Sequence, residues 1–254
     1  MQIRISAVII TLNEEKNIGR CIKSVRPVAD EIVVVDSFST DRTQKICESY
    51  NVRFIQHEFE GYIEQVNWAK DQAVNDFILA IDADESLDNQ LQKSILEVKK
   101  NWKFHAYKMN RLTSYCGKWI RTCGWYPDTK TRLFDRRKGI WAGINPHYIF
   151  TPNDNFDIGY LKGDILHYSY HTPEDHLKQI EKFSTIGAHA LFNQGKRSGV
   201  FKIATRPTAK FLKSYILKKG FLDGKTGFTI SRRSAYANYL KYSKLLKLQT
   251  GKDT

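Results

Sequence analysis

The chain has 254 residues, 41% of them hydrophobic and 13% aromatic, which suits one large α/β domain or a catalytic domain with a helical appendage and leaves too little length for two independent domains. No low-complexity tract, no repeat at a solenoid period and no apolar run near the ~18–20 residues that cross a bilayer is present, so disordered, solenoid and membrane-spanning classes are excluded. The net charge of +13 is localised: residues 196–252 carry fifteen Lys and Arg against one acid, Asp223, and the remainder is within one charge of neutral.

In chain order, residues 3–10 are the first strand. Acidic residues follow its apolar stretch at once, where a secretion signal would need small residues for cleavage, so the segment reads as a buried strand and not a signal peptide. Residues 32–35, 52–55 and 77–81 are the next strands, rich in Val and Ile without polar alternation, as expected when both faces are covered. Between them the spacing predicts helices over 14–25, 41–49 and 62–74, the first with Ile18, Cys21, Ile22 and Val25 on one face. Alternating strands and helices predict a parallel sheet with crossover helices, whose ligands bind beyond the carboxyl ends of the strands. From about Lys103 the pattern changes to short, aromatic-rich strands over 104–109, 131–134 and 139–142, a mixed or antiparallel extension that closes one side of the cleft. Thr172 before Pro173, Glu174 and Asp175 announces a capped helix. Basic amphipathic helices over 201–248, interrupted at 220–227, complete the chain. The division expected is a catalytic region 1–195, with halves 1–102 and 103–195, followed by a basic extension 196–254.

The four cysteines lack CxxC spacing, which argues against a zinc site; without a secretion signal a reducing cytoplasm is the expected compartment. Neither a G-x-x-x-x-G-K-[ST] loop nor a G-x-G-x-x-G turn follows any strand, which removes P-loop kinases and argues against dinucleotide dehydrogenases.

The fourth strand runs straight into Asp82, Asp84 and Glu85. Three carboxylates so close repel one another, and burying them is costly unless something positive compensates. If the chain stays extended, Asp82 and Asp84 point to one face and a single Mg²⁺ could bridge them, completing its shell with water and phosphate oxygens. The bland alternative is that these acids only cap the helix starting near Ser86, with Glu85 either capping or orienting a metal site. Asp36, at the end of the second strand, suits an acceptor for a pyrimidine ring N–H, or a turn residue bonding its own backbone. Arg132 suits a phosphate or acceptor contact, or a solvated edge strand. His167 and His171 read as satisfied structural histidines.

Residues 7–15 (AVIITLNEE), 33–41 (VVVDSFSTD), Asn67 with Ala73, and 79–85 (LAIDADE) resemble the successive motifs of family 2 glycosyltransferases with the GT-A fold. Gly124-Trp-Tyr-Pro-Asp128 with Thr131–Phe134, and Leu166-His-Tyr-Ser169, resemble its lipopolysaccharide-core β-glucosyltransferase branch. The resemblance covers residues 5–190. It implies a mainly parallel α/β sheet flanked by helices, and an inverting transfer of a hexose, glucose above all, from a UDP-sugar to a lipid-linked or lipopolysaccharide-core saccharide. It places Thr11, Asn13, Glu14, Asp36, Asn67, Asp82 and Ala83 on the donor, Asp36 on the uracil, and Asp84 with Asp82 on Mg²⁺ or Mn²⁺. Where the branch would carry a His-Glu pair, this chain has Asn145-Pro146-His147, so Asp128 and then His147 are the candidates for the base. The basic extension suits an anionic membrane surface at the inner face of the cytoplasmic membrane, a nucleic-acid groove, or a solvated face packed on the catalytic region; no nucleic-acid partner is expected. Two other readings of the chain are a nucleotidyltransferase releasing pyrophosphate and a nucleic-acid-binding protein built on the tail.

Overall fold

Uninterrupted Val and Ile strands call for cover on both faces, and the computed structural model, which describes residues 2–144, 147–153 and 157–251, provides it. The side chains of Ile144, His147, Tyr148 and Pro152 lie outside that description. The first strands and helices are β1 (Ile5–Thr11), α1 (Ile18–Val25), β2 (Glu31–Asp36), α2 (Thr43–Ser49), β3 (Arg53–Gln56), α3 (Tyr62–Asp71) and β4 (Phe77–Asp82). β3, β2, β1 and β4 lie side by side in that order, all parallel. Alternate residues serve opposite faces. Ile5, Ala7, Ile9, Leu79 and Ile81 pack with Ile18, Cys21, Ile22 and Val25 of α1, while Val8, Ile78 and Ala80 pack with Val66 and Ala69 of α3.

The second half continues the sheet with antiparallel strands. β5 (Glu85–Leu87), α4 (Asn89–Lys100), β6 (Ala106–Tyr115), β7 (Lys118–Trp119), β8 (Asp128–Asp135), β9 (Gly139–Ile144), β10 (His147–Pro152) and β11 (Ile158–Tyr170) extend the order from β4 through β8, β6 and β11 to β5, with β9 and β10 a separate hairpin. The extension expected from Lys103 onward is thus antiparallel where it joins β4. β11 passes α4 at Gly163, whose φ of +104° and whose place 2.2 Å from the Leu91 nitrogen, measured to a would-be Cβ, leave room only for glycine.

By packing, the chain divides into two units: Met1–Leu112 with Asp128–Tyr168, and Thr113–Pro127 with Ser169–Thr254. The second unit holds α5 (Pro173–Asn193), α6 (Val200–Leu212) and α7 (Gly224–Gln249). α5 opens with the capping box expected: the Thr172 side chain accepts from the Asp175 N–H, and the Asp175 carboxylate accepts from the Thr172 N–H at 2.7 Å. The interruption expected at 220–227 is a π turn over Lys213–Leu217 and a 3₁₀ turn over Gly220–Asp223, after which Gly224 already begins α7. Position 227, inside α7, takes only glycine because the Gly220 carbonyl oxygen would sit 1.8 Å from any Cβ there.

The core of this unit includes His176, buried against the rings of Tyr115, Trp125 and Tyr170 at 5.4, 5.7 and 4.6 Å. Burial, helped by the Arg233 charge, pushes its pKa down to about 4. The folded state therefore favours the neutral ring, so this contribution is whole above pH 6.5 and fades as pH falls towards 4, by up to about 3 kcal/mol. His176→Phe is expected to flatten the stability profile across that window, measured by urea unfolding at successive pH values.

Candidate functional site

The register of the parallel strands sets the site. Asp36 lies beside Thr11, and Asp82 beside Ile10, so the last residues of β2, β1 and β4 form one edge. Two loops leave this edge, and their polar side chains bond to each other. The Asn13 N–H donates to Ser39 Oγ at 2.7 Å, the Thr40 N–H to Asn13 Oδ1 at 2.8 Å, the Glu14 N–H to Thr43 Oγ1 at 2.9 Å and the Glu15 N–H to Asp41 Oδ2 at 3.0 Å. α1 starts at Ile18 and not at Glu14, and the N–H groups just before it are satisfied by the neighbouring loop. Asn13 at φ +55° and Phe38 at φ +61° sit in the left-handed region, a strained place for a bulky aromatic.

Asp36 is fully buried and accepts from both the N–H (2.8 Å) and the hydroxyl of Ser39, so it takes the turn alternative. Thr11 is buried, and its hydroxyl meets no hydrogen-bond partner among the described residues. Such an orphan beside a cluster of acids marks a place where a ligand atom would complete the bonding.

β4 ends at Asp82, the chain turns at Ala83 and Asp84, and β5 begins at Glu85. The extended backbone that would align Asp82 with Asp84 is therefore absent, and the two acids take different partners. Asp82 Oδ2 accepts from Arg132 at 2.6 Å, and Asp84 Oδ2 pairs with His167 Nε2 at 3.1 Å. Ala83 is buried in the turn, its N–H on the Ile10 carbonyl at 3.2 Å. Glu85 has no exposed side-chain surface and is held by Arg132 at 3.1 Å and Arg111 at 3.2 Å, while its other oxygen accepts the Asp82 N–H at 3.1 Å. It does not cap a helix. That role falls to Asp88, which accepts from the Leu91 N–H at 2.7 Å at the start of α4.

Arg132 is buried on β8, an interior strand between β4 and β6, which corrects the edge-strand alternative. Asp128 sits among cations. Arg111 grips it at 2.7 and 2.9 Å and Lys130 at 3.0 Å. Burial alone would raise its pKa, but these cations outweigh burial and hold it below the usual carboxylate range. His147 has its backbone on β10 but its side chain lies outside the description, as do Asn145 and Pro146. Asn67 is spent on structure: its amide donates to the Trp141 carbonyl at 2.8 Å and accepts the Trp141 N–H at 3.1 Å, tying α3 to β9.

The titrations follow from this wiring. Burial would raise Glu85, yet Arg132 and Arg111 bring it below its ordinary value, and burial would lower His167, yet Asp84 raises it. Glu14, half-buried with Asn17 as its hydrogen-bond donor, is pushed up to about 7 by burial and by the charges of Asp84 and Asp41. Arg111 is the site member the sequence reading misses, because only the strand order β4–β8–β6 carries it, with Arg132, to the acids.

Among the described residues no group of three or more His, Cys, Asp and Glu is assembled to hold a metal. The donor set still fits a hard divalent ion that leans on phosphate. Asp82 and Asp84 are about a quarter exposed (side chains 26% and 24%), and each uses one carboxylate oxygen on its cationic partner, with no ion-pair partner on the other among the described residues. Mg²⁺ needs only one or two carboxylates when a substrate supplies the rest.

Comparison with known proteins gives the family. The Glycosyl transferase family 2 profile matches residues 6–156. An uncharacterized glycosyltransferase of Rickettsia typhi is 32% identical, over 96% of this chain and 87% of its own length. The lipopolysaccharide core biosynthesis glycosyltransferase LpsC of Rhizobium meliloti is 30% identical, over 95% of this chain and 91% of its own. Among solved structures, residues 1–349 of S. aureus TarS superpose with a TM-score of 0.48 at 16% identity, over 98% of this chain and 92% of that one. With a profile match across more than half the chain and relatives of this identity along nearly all of it, the protein belongs to glycosyltransferase family 2, whose members use nucleotide-sugar donors.

Proposed function

We propose that the chain transfers a hexose from a UDP-sugar to a lipid-linked or lipopolysaccharide-core saccharide, with inversion at the anomeric carbon. The observation that carries this reading is the edge formed by Thr11, Asp82 and Asp84: an orphaned hydroxyl and two part-exposed carboxylates, where a strand of the parallel sheet ends. Likeness to LpsC along most of both chains supports the acceptor class.

In this reading the acceptor oxygen forms its bond to the anomeric carbon as the bond to the diphosphate oxygen breaks, and that electron pair leaves with UDP. Asp84, with Asp82 beside it, would hold Mg²⁺ or Mn²⁺, which supplies charge neutralisation for the leaving diphosphate. Asp36 braces the Ser39 and Asn13 turn that faces the nucleoside, and Glu14 and Thr11 complete that side. Glu85, Arg111 and Arg132 fix the turn that presents Asp84. Asp128 and then His147 are the groups proposed to take the acceptor proton.

The test is product analysis. UDP-, GDP- and dTDP-sugars are offered with Mn²⁺ and a core-oligosaccharide acceptor; UDP release with a lengthened acceptor of inverted configuration is expected. Release of pyrophosphate would point to nucleotidyl transfer, and a retained configuration or preference for a non-uridine donor would overturn the reading.

A further inference from the structure

α6 has no buried residue, although it is thirteen residues long. One side of it packs on α7, with Phe211 against Phe228 at 5.8 Å and, in the π turn that follows, the Ser214 hydroxyl 3.0 Å from Ser231. The opposite side and the following turns carry large apolar side chains in the open: Phe201 is 80% exposed, Leu217 73% and Leu222 65%, with Leu212 and Ile216 also exposed. Folded monomers seldom leave such a run of apolar surface without a use for it.

The charges around it decide what that use is. Lys202, Arg206, Lys210, Lys213, Lys218 and Lys219 are interleaved with these residues, and none has a carboxylate partner among the described residues. The one acid of the stretch, Asp223, is engaged by Lys118 at 2.9 Å and by the Thr122 hydroxyl. An occupant must therefore be apolar within and anionic at its rim. A nucleic acid meets only half of that, because the exposed aliphatic side chains of Val200, Leu212, Ile216, Leu217 and Leu222 outnumber the exposed rings of Phe201 and Phe221 that could stack on bases.

We propose that the solvent face from Val200 to Leu222 docks on an anionic phospholipid surface, its aliphatic side chains entering the headgroup boundary and its lysines meeting the lipid phosphates. This goes beyond the transfer reaction and needs no turnover to be measured, so its failure and that of the sugar-transfer reading are separable.

The full chain is sedimented with phosphatidylcholine vesicles with or without phosphatidylglycerol. Binding is expected only with the anionic lipid. At about fivefold per cation, the triple replacement Lys202→Gln, Lys210→Gln, Lys213→Gln is expected to weaken partitioning on the order of 100-fold. Leu217→Ser with Leu222→Ser is expected to weaken it at least about tenfold, given the transfer free energy of two leucines. All five side chains are exposed, so circular dichroism and thermal midpoint should stay unchanged. Four results would overturn the proposal: no partitioning, equal partitioning onto neutral vesicles, indifference to the leucine pair, or self-association that buries this face in solution.

Discussion

Replacing Glu85 with glutamine is expected to lower the unfolding free energy by about 3–5 kcal/mol, the usual cost of removing one partner from a buried ion pair. Its side chain has no exposed surface, and Arg132 and Arg111, 5% and 20% exposed, both direct a guanidinium nitrogen at the same oxygen. Glutamine fills the same volume but carries no charge, so two arginines would lose a shared counter-ion while remaining out of water. The gain in Coulomb energy that now offsets their desolvation would fall on Asp82 and Asp128 alone. Urea unfolding gives the comparison, with Glu15→Gln as control: Glu15 makes a solvent-screened ion pair with Arg42, and its loss is expected to leave the midpoint close to the parent's. Equal midpoints for the two variants would show that the buried cluster contributes nothing beyond a surface pair.

Asp84→Asn is expected to reduce turnover on the order of 10²–10³-fold, the range seen when one electrostatic contact to a developing charge is removed. Asp84 differs from Glu85 in being part-exposed and in having one partner, His167, which can lose its proton when the carboxylate goes. The variant should therefore fold, with its thermal midpoint near that of the parent. The separating readout is ligand-induced stabilisation: UDP with Mn²⁺ should raise the midpoint of the parent and much less that of the variant, because a ligand stabilises only in proportion to its affinity for the folded state. A folded Asp84→Asn protein with undiminished turnover would remove this residue from the reaction.

The parallel half of the fold is legible because burial on both faces leaves an unmistakable composition, as in the three consecutive valines of β2. β11 is not: Gly159, Lys162, Gly163 and Asp164 interrupt its pattern, since Lys162 is exposed, Gly159 lies tight against Tyr107 and Phe104, and the strand passes α4 at Gly163. The acids at the exit of β4 are likewise visible, for no apolar strand ends in three carboxylates without a reason. Their partners are not, because Arg111 and Arg132 come from β6 and β8, and only sheet order brings them to Asp82 and Glu85. The surroundings of Asp128 are hidden for the same cause: as a sequence it is an acid after a proline, and as a structure it is one end of a chain of salt bridges.

The interleaving of Asp82, Asp84, Glu85 and Asp128 with Arg111, Arg132, Lys130 and His167 also bears on how substrate arrives. A pocket that carries its own counter-ions projects little field beyond a few ångströms, so it neither draws in a bare cation nor repels a diphosphate from afar. Donor capture should then be governed by collision and fit, with an association rate nearly indifferent to ionic strength.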